Sequence, residues 1–244
     1  MATTGEKIAL VTGANKGIGF EVARQLLGHG FHVVVGARRR DAGQEAATGL
    51  SQGGGIGKTT GAKAQFLEID IADPASIARA AKELATLVEH LDVLVNNAGI
   101  LEDGKATALD VDVAVVRRTF ETNALGPLLV TQAMLPFLLR APGGARIVNV
   151  SSGAGALGEM ASWAPAYSIS KTALNAVTRQ FASALRGRRI AVNSACPGWV
   201  RTSMGGAAAP RTAEQGADTI VWLATEAPPS LTGRFVRDRQ VIAW

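Results

Sequence analysis

Short apolar, β-branched runs alternate along this chain with longer segments in which apolar residues recur at helical spacing. Such alternation is typical of βα units built around a parallel sheet. Most of the runs are apolar enough to be strands buried on both faces. We predict seven strands: Ile8 to Thr12, His32 to Gly36, Gln65 to Asp70, Val93 to Asn96, Ala145 to Ser151, Ile190 to Ala195, and Arg234 to Val236.

Helix start signals fall between these runs. Asp73-Pro74 offers a capping side chain followed by proline at the first helical position. Thr212 to Gln215 matches a capping box ahead of an apolar run. The pattern predicts one α/β domain over residues 1–244, with a doubly wound, mostly parallel, seven-stranded sheet flanked by helices.

Composition narrows the class of protein. The 244 residues, 47% of them hydrophobic, suffice for one large core. No stretch approaches the roughly twenty apolar residues of a membrane helix, so we expect neither a membrane span nor a targeting segment. Cys196 is the only cysteine, which excludes an internal disulfide and fits a reducing compartment. We therefore expect a cytoplasmic protein.

Charge and histidine content exclude two further classes. The net charge is +5, but the arginines are dispersed without interleaved aromatic residues, so nucleic-acid binding is not expected. The three histidines lack metal-ligand spacing, and we predict no metal. The glycine-rich patch from Gly53 to Gly61 imitates a phosphate-binding loop but follows a helical segment instead of a strand, and we interpret it as a flexible loop.

A second glycine-rich segment directly follows the first predicted strand and leads into a helical run. Its residues are Thr12, Gly13, Ala14, Asn15, Lys16, Gly17, Ile18 and Gly19. Glycines at a strand-to-helix turn let the backbone approach a pyrophosphate closely, and free N–H groups at the helix start attract its charge. The segment predicts a dinucleotide site of the Rossmann type.

The spacing Thr-Gly-x-x-x-Gly-x-Gly resembles the short-chain dehydrogenase/reductase family. The family's Asn-Asn-Ala-Gly segment is matched by Asn96, Asn97, Ala98 and Gly99 after the fourth strand. The likeness spans essentially the whole chain and is greatest to the carbonyl reductase subgroup. It implies a cofactor half at about 1–125 and a catalytic and substrate half at about 126–244.

The cofactor preference depends on the end of the second strand. An acidic residue there would bind a ribose 2′-hydroxyl and repel a 2′-phosphate, but Ala37 leads into Arg38 instead. Together with Lys16 in the glycine loop, Arg38 favours NADP(H). By resemblance, Asp70 and Ile71 flank the adenine.

Tyr167 is the only tyrosine, and it precedes Lys171 by four residues, so a helix would place both side chains on one face. A nearby ammonium and an oxidised nicotinamide would both lower the tyrosine pKa and make the phenol a usable acid. The resemblance implies that Tyr167 donates the proton and that Ser152, with Ser151 as the alternative, polarises a carbonyl. It also implies that Asn123 holds a water beside Lys171.

The remaining site residues follow the sixth strand or precede Tyr167. By resemblance, the segment Pro197, Gly198, Trp199, Val200, Arg201 and Thr202 holds the nicotinamide, with Val200 and Thr202 on its carboxamide. Candidate lining residues of an apolar substrate pocket are Ala154, Leu157, Met160, Trp163, Trp199 and Met204. The sequence shows no cationic anchor for a carboxylate substrate.

The resemblance implies NADPH-dependent reduction of a hydrophobic ketone, aldehyde or quinone. A secondary-alcohol dehydrogenase or a carrier-bound 3-ketoacyl reductase on the same four residues stays open, as does a non-catalytic dinucleotide sensor. Only a short stretch separates Ser152 from Tyr167, where monomeric carbonyl reductases carry a long insertion, so a homodimer or homotetramer also stays open.

Overall fold

The computed structural model describes residues 5–52 and 62–244, which build a single eight-stranded sheet covered by helices on both faces. The glycine-rich patch from Gly53 to Gly61 lies outside the described residues. The strands are β1 (Lys7–Thr12), β2 (Phe31–Ala37), β3 (Ala64–Glu68), β4 (Val93–Asn96), β5 (Ala145–Val150), β6 (Ile190–Ala195), β7 (Phe235–Arg237) and β8 (Gln240–Ile242).

The described helices are α1 (Gly17–Gly28), α2 (Arg40–Gln52), α3 (Pro74–Leu87), α4 (Val113–Phe120), α5 (Gly126–Leu138), α6 (Pro165–Ala184) and α7 (Ala213–Thr225). A π-helical turn (Glu121–Leu125) joins α4 to α5. Both predicted helix starts are confirmed, since Asp73 accepts a hydrogen bond from Ala75 N and Thr212 forms the capping box with Gln215. No described helix has the length and apolar character needed to cross a membrane.

The sheet order is β3-β2-β1-β4-β5-β6-β7-β8, and all neighbouring strands are parallel except β7 and β8. The predicted doubly wound α/β class is confirmed, but the strand count of seven was wrong. Strand β8 returns along β7 through Asp238 and Arg239, whose φ values are 53° and 60°. A two-residue hairpin turn with both φ angles positive usually carries Asn-Gly, so Asp-Arg gave no turn signal in the sequence.

The strands bury both faces, and alternate residues feed two cores. Val11 on β1 belongs to the core under α1, α2 and α7, whereas its neighbour Leu10 belongs to the core under α3 and α5. Because β1 pairs with both β2 and β4, the chain order reverses between β1 and β4. Ligands of open α/β sheets bind at the carboxyl ends of the strands beside such a reversal.

Candidate active site

A cleft of about 290 Å³ opens at this reversal point, beyond the carboxyl ends of β1 and β4. Nearly all the residues predicted to hold the cofactor line it: Gly13, Asn15, Lys16, Gly17, Ile18, Gly19, Arg38, Asp70, Ile71, Asn97, Ala98, Gly99, Tyr167, Lys171, Pro197 and Thr202. Gly198 and Val200 lie instead on the adjoining cavity. The prediction missed Ile69, Ile100, Thr122, Val150 and Ser203, which carry no motif signal, and it had assigned Ser151 and Met204 to other parts of the site.

The floor of this cofactor cleft is backbone because two of its glycines leave no room for a side chain. Gly13 has φ +65°, and a Cβ there would lie 2.9 Å from Ala98 Cα. A Cβ on Gly19 would overlap the carbonyl oxygen of Gly13 and the side chain of Asn97. The free N–H groups at the start of α1 therefore face the cleft unobstructed, as pyrophosphate binding requires.

Asn97 fastens the glycine loop to β4. Its Nδ2 donates to the carbonyl oxygens of Thr12, at 2.9 Å, and Gly13, at 3.2 Å. In return, Thr12 Oγ1 accepts hydrogen bonds from the backbone N–H groups of Asn97 and Ala98. The Asn-Asn-Ala-Gly segment thus fixes the position of the glycine loop relative to the end of β4.

Arg38 and Lys16 both line the cofactor cleft, and neither forms an ion pair within residues 5–52 and 62–244. The nearby carboxylate of Glu68, at the end of β3, is bound by Arg40 at 2.7 Å. Two cations without partners beside a cleft that lacks an acid at the end of β2 fit the 2′-phosphate of NADP(H).

Tyr167 and Lys171 project from the first turns of α6, where both are buried. Tyr167 lines the cofactor cleft and also a second cavity beside it, and Ser152 lines the same second cavity. Lys171 Nζ lies 5.6 Å from the centre of the Tyr167 ring and donates to Val150 O at 2.8 Å. The helix thus brings the pair to the junction of the two cavities.

Burial controls the protonation of both groups. It raises the pKa of Tyr167 to about 12, against a smaller lowering from the hydrogen bond with Ser152. Burial also lowers the pKa of Lys171 to about 8. The direction for Tyr167 is opposite to the sequence-based expectation, because burial disfavours the charged phenolate more than the Ser152 hydroxyl favours it. The phenol therefore stays in its protonated, hydrogen-bond-donating form across the neutral pH range.

The two candidate serines differ in where their hydroxyls lie. Ser152 lines the second cavity and adjoins Tyr167, whereas the buried hydroxyl of Ser151 donates to Lys171 O at 3.4 Å. Ser152 is therefore the serine in position to contact a substrate oxygen together with Tyr167.

Asn123 lies in the π-helical turn and is fully buried. Its Oδ1 accepts from Ile100 N at 2.8 Å, and its Nδ2 donates to Ile100 O at 2.8 Å and to Ser170 Oγ at 3.0 Å. A Cβ on Gly99 would lie 3.0 Å from Asn123 Oδ1 and 3.5 Å from Lys171 Nζ, so both groups flank Gly99. The amide thus links the loop after β4 to helix α6.

The second cavity measures about 680 Å³ and opens beside Ser152 and Tyr167. We call it the substrate cavity. Ala154, Trp163, Trp199 and Met204 line it as predicted residues, while Leu157 and Met160 are exposed and lie outside it. Sequence reasoning missed Leu101, Gly153, Glu159, Ala161, Ser168, Cys196, Gly205 and Arg237. Of these, Leu101 and Arg237 come from segments that only the fold brings here, whereas the others lie beside predicted residues.

The loop after β4 is attached to the start of α6 at the rim of the substrate cavity. Trp163 Nε1 donates to Gly104 O at 2.8 Å, and Asp103 Oδ2 accepts from Ala166 N at 2.6 Å. Trp163 also packs edge-on against the Tyr167 ring, with centroids 6.3 Å apart. These contacts therefore fix the loop after β4 and Trp163 against the side of Tyr167 that faces the substrate cavity.

Known proteins are similar to this chain over nearly its whole length. The short chain dehydrogenase family model matches residues 7–227. The short-chain dehydrogenase anuI of Penicillium roqueforti is 36% identical over 99% of this chain and 98% of its own length. Carbonyl reductase [NADPH] 1 of Sus scrofa is 33% identical over 98% of this chain and 94% of its own length.

A solved structure shows the same fold. The NADPH-bound carbonyl reductase from chicken fatty liver superposes with a TM-score of 0.86 at 28% identity, covering 98% of this chain and 99% of its own. The glycine loop, the Asn-Asn-Ala-Gly segment and the Tyr-x-x-x-Lys pair lie in this fold in the order described above. This chain belongs to the short-chain dehydrogenase/reductase family.

Proposed function

We propose that this protein is an NADPH-dependent carbonyl reductase that converts a hydrophobic ketone, aldehyde or quinone to the alcohol. The observation that carries the proposal is the position of Tyr167, which borders both the cofactor cleft and the substrate cavity with Ser152 beside it. The names of carbonyl reductase relatives support the same activity.

NADP(H) fits the cofactor cleft. The glycine floor and the start of α1 would hold the pyrophosphate, Arg38 and Lys16 the 2′-phosphate, and Asp70 and Ile71 the adenine. Pro197 and Thr202 border the cleft near Tyr167 and would hold the nicotinamide end. When bound, NADPH supplies a hydride to the carbonyl carbon.

The chain's own residues act on the carbonyl oxygen. Ser152 and Tyr167 donate hydrogen bonds to it, which stabilises the negative charge that develops there in the transition state. Tyr167, which is protonated at neutral pH, then gives its proton to the oxygen. The Lys171 ammonium, held by Val150 O, lies close enough to stabilise the phenolate left behind.

Proton resupply would use the main chain of Asn123, since the described partners already occupy its side-chain amide. The residue four positions later is Pro127, which has no N–H to bind the Asn123 carbonyl oxygen in helical fashion. That carbonyl would hold the water that returns a proton toward Lys171. A homodimer or homotetramer and a cytoplasmic location stay predictions from the sequence.

The test is an NADPH-oxidation assay over a panel of ketones, aldehydes and quinones, with Tyr167→Phe as the control. We expect turnover of apolar members by the wild-type protein and almost none by the variant. NADPH binding without oxidation on any member of the panel would contradict the proposal and favour a dinucleotide sensor.

A further inference from the structure

One charged side chain of the substrate cavity has no counterpart in the sequence motifs. Arg237 is the last residue of β7 and lines the cavity together with Ser152 and Tyr167. Its Nη1 lies 3.6 Å from the point that a Cβ on Gly153 would occupy. Gly153 directly follows Ser152, the proposed hydrogen-bond donor to the carbonyl oxygen of the substrate. The guanidinium therefore lies beside the part of the cavity wall that carries Ser152.

The guanidinium of Arg237 makes no direct contact with a carboxylate of the described residues, although Asp238 feels its charge. Within residues 5–52 and 62–244 it makes no ion pair and no side-chain hydrogen bond. The adjacent carboxylate, Asp238, is bound by both terminal nitrogens of Arg211, at 2.6 and 2.8 Å. The hairpin turn therefore directs Asp238 to Arg211 and leaves Arg237 available to a ligand.

The apolar lining of the cavity strengthens the attraction of this charge for an anion. Leu101, Ala154, Trp163, Trp199 and Met204 form a largely apolar lining. An anion between such walls is attracted to a cation far more strongly than it would be in bulk water. The planar guanidinium fork also matches the two oxygens of a carboxylate.

One acidic group opposes the attraction. Glu159 lines the same cavity from an exposed 3₁₀ turn, Leu157–Glu159, and does not pair with Arg237. Since Glu159 is exposed to solvent, water screens its charge more than that of the half-buried Arg237. Arg237 therefore has the stronger influence on a bound anion.

We propose that Arg237 is an anion anchor that selects carbonyl substrates carrying a carboxylate a short apolar spacer away from the reacting carbonyl. The inference rests on the proposed carbonyl reduction and names its preferred substrate class. It replaces the sequence-based expectation that no cationic anchor exists, because only the fold brings β7 to the substrate cavity.

The experiment compares two aldehydes that differ in one charge, 4-carboxybenzaldehyde and methyl 4-formylbenzoate, with saturating NADPH. We expect the wild-type protein to have the higher kcat/KM on the acid. Arg237→Met, which keeps an apolar stem, should lower kcat/KM on the acid by about tenfold or more, mainly through KM, and leave the ester within about twofold. Arg234→Met is the matched control, since Arg234 is exposed, precedes the same strand and does not line the cavity.

A binding measurement separates this inference from the reductase proposal. Trp163 and Trp199 line the cavity, so their fluorescence should report binding of 4-(hydroxymethyl)benzoate and of its methyl ester without any turnover. The wild-type protein should bind the acid more tightly than the ester. Glu159→Gln should bind the acid more tightly than the wild-type protein does. Arg237→Met should bind the acid no more tightly than the ester.

Equal binding of the acid and the ester to the wild-type protein would overturn the anchor even if both aldehydes are reduced. Equal losses on both aldehydes in Arg237→Met would also overturn it, because they would indicate a structural role. Preferred binding of the acid without reduction of either aldehyde would support the anchor and contradict the reductase proposal instead.

Discussion

The carboxylate of Asp103 accepts a hydrogen bond at 2.6 Å from the backbone N–H of Ala166, the residue immediately before the catalytic candidate Tyr167. Helix α6 has no cap of its own, because Ala164 offers no side-chain acceptor and Pro165 has no N–H. Asp103 supplies the cap from the loop after β4, and thereby ties the rim of the substrate cavity to the first turn of α6.

Asp103→Ala should lower both stability and activity. Loss of a helix cap costs about 1 kcal/mol of unfolding free energy, and a looser first turn displaces Tyr167. Urea unfolding and steady-state kinetics with NADPH measure the two effects. The control is Asp112→Ala, which removes the N-cap of α4 that Asp112 forms with Ala114 N. This cap lies at the end of α4 farther from Asn123, so its loss should lower the unfolding free energy by a similar amount with little change in kcat. Equal kcat in both variants would show that Asp103 does not position Tyr167.

Tyr167→Phe should reduce kcat for carbonyl reduction by about 100-fold to 10,000-fold, because Tyr167 is the group that gives the carbonyl oxygen its proton in the proposed mechanism. NADPH affinity should change little, since the phenol lies at the junction of the cavities and not on the glycine floor. Kinetics and a fluorescence titration with NADPH check both points. Substantial residual turnover would remove Tyr167 from the mechanism.

Arg38→Asp should shift the cofactor preference from NADPH toward NADH. The new carboxylate repels a 2′-phosphate and can accept hydrogen bonds from a 2′-hydroxyl. The ratio of kcat/KM values for the two cofactors should fall by about tenfold or more. Arg39→Asp is the control with the same charge change, because Arg39 is exposed but does not line the cleft. A ratio that falls equally in both variants would assign the preference to net charge instead of to Arg38.

Stability should rise with pH above about 8 because of Lys171. Burial lowers its pKa from 10.5 to about 8, so between these values the unfolded chain binds a proton that the folded chain does not. The unfolding free energy therefore increases with pH across this window, by about 1 to 3 kcal/mol up to pH of about 10. Above pH of about 10 the raised pKa of Tyr167 acts in the opposite direction.

The measurement is urea unfolding of the wild-type protein and of Lys171→Met at several pH values in that window. The difference between the two proteins isolates Lys171 from the other titrating groups. A difference that does not change with pH would show that Lys171 titrates normally in the folded state.

Local sequence signals predicted seven of the eight strands and the cofactor end of the site. The strands follow from apolar runs, and the starts of α3 and α7 follow from capping residues, because these signals act between near neighbours. The glycine loop and the Asn-Asn-Ala-Gly segment were also visible, since backbone approach to a phosphate needs glycine at fixed places. The helical spacing placed Tyr167 and Lys171 on one face, and the order of the other motifs, shared with the short-chain dehydrogenase/reductase family, gave them a catalytic interpretation.

Which residues face these side chains depends on contacts between distant segments. The fold places Ser152, and not Ser151, in the same cavity as Tyr167. It also reverses the expected direction of the Tyr167 pKa shift, because the burial of the phenol depends on packing from distant segments. It placed Leu157 and Met160 outside the substrate cavity and brought Arg237 into it. The Asp103 cap on α6 spans 63 residues of sequence, so no local pattern announced it. Contacts of this kind depend on how strands and loops meet in space, which residue spacing along the chain does not record.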